Sequence, residues 1–169
     1  MRFPELHGRP IQIVFLPALT SRQGRLLWGR RDGVEIHAGS FIRERRIVLD
    51  RALRRKPREL ERIFAHELAH FAWVRLSNAA RLSWEDLLAG EKARGELGWS
   101  AEWRKRALGP DDRRGRTRRW REYACESFCD SAAWLFAGGA HGEFTLSRRA
   151  RRARRLWFER SGLTRRLTV

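Results

Sequence analysis

Cysteine is nearly missing from this sequence. Cys125 and Cys129 are the only two. They stand four apart in a stretch that reads as one helix, so bridging them would close no long loop. That excludes a secreted disulfide framework. Lysine is as scarce: Lys56, Lys92 and Lys105 are three of 37 basic residues, and the rest are arginine. Long apolar runs are missing too. No stretch approaches the roughly 18 consecutive apolar residues that a membrane-spanning helix needs, so no span is expected. The opening "MRFPELHGRPIQIVFLPALT" has no long uninterrupted apolar core and reads as the start of a domain, not as a signal peptide. There is no internal repeat. These absences lead to the expectation of a soluble protein in a reducing cytoplasm.

What is present suits a single folded domain over 1–169. Eight tryptophans and nine phenylalanines supply large apolar surfaces for a core. The net charge of +17 predicts attraction to polyanions, including non-specific attraction to nucleic acid. It equally describes a surface solvated by arginine.

The pattern along the chain predicts an α+β fold, with 1–56 mainly β and 57–169 mainly α. "IQIVFL", lying between Pro10 and Pro17, reads as a strand. "RLLWGRRDGVEIHAG" carries the turn signal Asp32-Gly33 between two strand-like pieces. "SFIRERRIVLD" reads as a further strand, and the whole as a small, mostly antiparallel sheet. Pro57 then opens a helix, with Leu60, Phe64, Leu68 and Phe71 on its core face. Ser83, with Asp86, is expected to cap a second helix, and Ser100 a short third one. "GPDDRRGRTRR" (109–119) reads as a mobile loop. Residues 120–139 read as a helix ended by glycines. From Arg148 to Arg166 there are nine arginines, with Ala150, Ala153 and Trp157 as a narrow apolar stripe. Residues 77–119 read as a helical insertion.

"RIFAHELAHFAW" (62–73) holds the chemistry. Residues four apart on a helix share a face, so His66 and His70 can present two imidazole nitrogens to one ion. Glu67 sits beside the first histidine and can face a water at that ion. Chance gives roughly 0.01 such H-E-x-x-H patterns in a chain of this composition. A catalytic zinc needs a third protein ligand. "ESFCD" offers Glu126, with Asp130 one turn on to fix a histidine tautomer. Acids inside so apolar a segment are costly unless they are paired or bind metal. Cys125 and Cys129 read as small buried residues. Tyr123 and His141 are weaker candidates for stabilising an oxyanion, set against packing or surface roles.

"HELAH" followed on a later helix by "ESFCD" resembles the gluzincins, the thermolysin-like zinc peptidases with H-E-x-x-H plus E-x-x-x-D. The resemblance covers these two motifs and is closest to minimal single-domain members. It implies a zinc-dependent endopeptidase acting on a peptide or protein substrate. By position, His66, His70 and Glu126 match the Zn2+ ligands, Glu67 the general base acting on a metal-activated water, and Asp130 the acid behind a ligand histidine. "EYACESFC" also resembles the E-x-x-A-N-x-F-A pattern of antirepressor-type peptidases, which would make Glu122 the ligand. An extended substrate is expected to pair with a sheet edge through "GVEIHAG" or "SFIRERR". The alternative is an arginine-rich nucleic-acid-binding protein with a structural or vestigial metal site.

Overall fold

The computed structural model describes residues 3–23, 25–29, 33–91, 99–138 and 144–169. It is α+β: short strands form three small sheets in the N-terminal part, and five helices follow. The strands are β1 (Glu5–His7), β2 (Gln12–Leu16), β3 (Thr20–Arg22), β4 (Arg25–Leu27), β5 (Val34–Glu35), β6 (Ala38–Phe41), β7 (Arg46–Asp50) and β8 (Arg166–Thr168). The helices are α1 (Pro57–Trp73), α2 (Asn78–Gly90), α3 (Trp99–Arg106), α4 (Arg118–Phe136) and α5 (Arg148–Arg160).

The sheets are less antiparallel than the sequence suggests. β7 is the centre of a mixed sheet, parallel to β2 and antiparallel to β6. β1 pairs in parallel with β8. Only β4-β3-β5 is wholly antiparallel. Alternation along a strand reports which face is buried and carries no information on the sense of its partner. Ile47, Val48 and Leu49 on β7 are all buried, as a central strand requires. β6 is left at the sheet edge, against α1.

Helix boundaries follow caps. Pro57 is the first residue of α1, where its missing N–H costs nothing. α2 starts earlier than expected, because Ser77 and not Ser83 is its cap, accepting from the Ala80 amide at 3.1 Å. Ser83 lies within α2, where its Oγ accepts from Trp157 Nε1 at 3.1 Å. α3 begins at Trp99, so Ser100 is already helical. Thr117 caps α4. The 109–119 segment is a set of hydrogen-bonded turns leading into that helix. Asp112 accepts from the Gly109 amide and the Thr117 hydroxyl, and Arg116 grips Glu85 with two bonds of 2.8 and 2.9 Å.

The core lies between α1, α2, α4 and α5. Trp84, Phe128, Trp157 and Phe158 pack with ring centroids 4.9–6.1 Å apart. The stripe on α5 is wider than the sequence suggests. Ala150, Trp157 and Phe158 are buried, and so is Arg154, which is fully enclosed. Arg154 is tolerated there because Glu91 accepts two bonds from it, at 2.7 and 2.8 Å, and Ser131 a third at 3.0 Å. Among the described residues no helix is long and apolar enough to cross a membrane.

Candidate metal centre

α1 packs along α4, and the polar side chains of both helices meet in one seam. His66 is buried and uses both ring nitrogens. Its Nδ1 lies 2.9 Å from Asp130 Oδ1, and its Nε2 lies 3.3 Å from Glu126 Oε2. His70, one turn on, points Nε2 at the same Glu126 oxygen from 3.9 Å, and its Nδ1 meets Cys125 Sγ at 3.5 Å. Each histidine is therefore held at Nδ1 by a residue of α4, and both Nε2 atoms converge on Glu126.

Asp130 is itself held. Its second oxygen accepts from the Ala101 amide at 3.0 Å. That amide belongs to α3, so the acid ties α4 to α3. Asp130 thus holds α3 with one oxygen and orients His66 with the other. The bond to Asp130 fixes the orientation of the His66 ring, with Nδ1 toward Asp130 and Nε2 toward Glu126.

The electrostatics follow from this crowding. Burial works against the imidazolium of His66, yet its hydrogen bonds to Asp130 and Glu126 outweigh that and hold its pKa well above the ordinary histidine value. Burial also opposes ionisation of Glu126, but its bond to His66 and the nearby His70 charge bring its pKa down to about 2. Cys125 falls to about 6, chiefly through its hydrogen bond with Cys129, against burial, and with help from His70. Cys129 moves the other way: burial drives its thiol well above the usual range.

These residues are of the types that a zinc ion accepts as ligands. With bonds of roughly 2.0–2.1 Å, tetrahedral coordination sets ligand atoms about 3.3–3.4 Å apart. The 3.3 Å between His66 Nε2 and Glu126 Oε2 falls in that range, and the 3.9 Å to His70 Nε2 needs only a small closure. His66, His70 and Cys129 also bring ligand atoms within 4.8 Å of one another. Cys129 therefore stands beside Glu126 as an alternative third ligand. Glu122 lies outside the seam. It bonds Arg118 Nε at 2.7 Å and Arg104 Nη1 at 3.0 Å.

Glu67 sits where the seam opens. Together with His66 and Ser100 it lines two adjoining cavities of about 440 and 310 Å³. Ser40 on β6 donates to Glu67 Oε2 at 2.6 Å and lies 3.0 Å from the Glu67 backbone oxygen. One carboxylate oxygen is thereby fixed against the strand. Nothing in the local pattern marks Ser40, which is remote in the chain from Glu67. Cys125, read as a small packing residue, is the partner of His70. Tyr123 is buried against Trp120 and lines neither cavity. His141 lies outside the described residues.

The motif HELAH with Glu126 and Asp130 is the sole ground for a family resemblance. No family model, no curated protein and no solved structure matches the chain.

Proposed function

We propose that this protein is a zinc-dependent peptidase of gluzincin type, with His66, His70 and Glu126 as the metal ligands and Glu67 as the general base. The observation that carries this reading is the convergence of both Nε2 atoms on Glu126 Oε2 with Asp130 behind His66. A structural site closes all its positions with protein ligands, whereas a third ligand beside an open cavity leaves room for water.

Zinc held there supplies Lewis acidity, polarising a carbonyl and making water a stronger acid. The chain's own residues do the rest. Glu67 takes a proton from water in the cavity and returns it to the leaving amine. Ser40 keeps one Glu67 oxygen turned to the strand, so the base presents the other in a fixed orientation. Asp130 and Cys125 keep the imidazoles from rotating. β6 spans both expected edge segments, with Ala38 and Gly39 from the first and Ser40 and Phe41 from the second. It is the edge of its sheet and lines the cavities. An extended peptide added to β6 would run past Glu67. The two free thiols beside the ligands favour a reducing, cytoplasmic setting.

The test is metal analysis with a single control. Wild-type protein should carry one zinc per chain and cleave members of a diverse peptide library. Glu67→Gln should keep the zinc and lose cleavage, because an amide cannot accept the proton. Metal-free wild type under zinc-replete conditions, or equal turnover by the variant, would remove the assignment.

A further inference from the structure

The seam faces inward, but the charge of this protein faces outward, and one part of that surface has a second property. Nine of the 18 residues from Arg104 to Arg121 are basic and two are acidic. Both acids, Asp111 and Asp112, lie in the turns, where Asp112 is occupied by Gly109 and Thr117. Glu122 is shared by Arg104 and Arg118, which draws the start of α4 against α3. Arg119 reaches the Ala107 carbonyl at 3.5 Å, one turn along from Trp103. Among the described residues no carboxylate pairs with Lys105, Arg114 or Arg121. On α3, next to Arg104 and Lys105 in the chain and one turn from the Arg119 contact, Trp103 is 77% exposed, more than any other large apolar residue described.

We infer that the α3 face around Trp103, with the adjoining turns and the start of α4, binds single-stranded nucleic acid. Arginines and a lysine supply phosphate contacts, and the indole supplies a platform on which an unpaired base stacks. A duplex keeps its bases stacked on one another and offers the indole no face. A membrane-binding helix needs a whole apolar side, and here one exposed indole stands among charges. The basic helix α5 lacks the second property: its nearby aromatic, Trp134, is buried and already covered by Arg155 at 5.2 Å. This inference is independent of the metal.

The test uses the full chain and a fluorescein-labelled oligo(dT) strand, with a duplex of equal length as control. Trp103→Ala should weaken oligo(dT) binding about 5- to 150-fold, the range for loss of one base stack. It should leave duplex binding and the dependence on salt unchanged. Trp103→Phe should recover part of the loss. The triple variant Arg114→Gln, Arg119→Gln, Arg121→Gln should flatten the slope of log affinity on log salt by about 2, at roughly 0.7 per phosphate contact. All these positions are exposed, and an unchanged melting temperature confirms folding. Binding by Trp103→Ala equal to wild type would overturn the inference. So would a salt slope that responds only to Arg148→Gln, Arg149→Gln, Arg152→Gln on α5, or a Trp103→Ala defect confined to phosphatidylserine vesicles.

Discussion

Glu126 and Glu122 lie one turn apart on α4, yet they belong to different regions. Glu126 faces the α1 seam, where Cys125, Cys129 and Asp130 also gather and nearly every polar atom has a named partner. Glu122 faces α3 and solvent, between Arg104 and Arg118. The same comparison runs along α5. Arg154 is enclosed and gripped by Glu91, while its neighbour Arg155 is exposed over Trp134. Residue type does not separate the members of either pair. In the seam, removing one partner strands another in a dry environment. On the surface, water and salt replace what is lost.

Zinc should therefore discriminate between the two glutamates. His66→Ala, His70→Ala and Glu126→Ala are each expected to abolish stoichiometric zinc measured after dialysis against a mild chelator, since two protein ligands hold the ion poorly. Glu122→Ala should retain it. The reverse result for the glutamates would establish the antirepressor-type alignment and dissolve the comparison. In the core, Arg154→Ala should cost about 3–5 kcal/mol in denaturant unfolding, because the largely enclosed Glu91 carboxylate and Ser131 lose their partner. A loss below about 1 kcal/mol would show that water reaches Glu91.

Asp130→Asn sharpens the boundary of the seam. The amide still fills the space but carries no charge toward His66, and zinc affinity should fall about 10- to 100-fold in a competition titration. An unchanged affinity would mean that Asp130 serves α3 alone. A smaller effect comes from Tyr123, the single tyrosine, whose phenol burial pushes up to about 12 from the ordinary 10.0. The folded protein then holds that proton between those values while the unfolded chain releases it. Stability contributed by the neutral phenol is complete below about pH 10 and declines as pH rises toward 12. Absorbance near 295 nm should show no phenolate near pH 10 while the protein stays folded; a transition there would place Tyr123 in water. Smallest of all, Arg155→Ala should change stability by about 1 kcal/mol or less, against several for Arg154.

The seam was legible because it is built from helical spacing. His66, His70, Glu126 and Asp130 are related by steps of four within two helices, and the apolar surroundings of "ESFCD" marked its acids as engaged. What brings Ser40 to Glu67 is the docking of an edge strand on a helix, which no local pattern records. Asp130's second partner is a backbone amide of α3, and amides carry no sequence signal. Ser77 and not Ser83 caps α2, while the Ser83 hydroxyl accepts from Trp157, a contact between residues far apart in the chain that no local pattern records. The parallel pairing of β2 with β7 depends on the chain between them, so alternation within either strand was silent about it.

The pairing of β1 with β8 has a consequence in time. His7 and Arg166 stand 159 positions apart and still touch at 3.2 Å. During synthesis at about 5–20 residues per second, β1 waits roughly 8–30 s for its partner to be made. Throughout that interval its edge is open, and the groove over Phe64 and Leu68, to which Leu6 and Val169 both contribute, is incomplete. A nascent chain therefore carries an unpaired strand beside an unfinished apolar face, a combination that invites capture by a holding chaperone. Closure comes late, and it joins the first strand to the last.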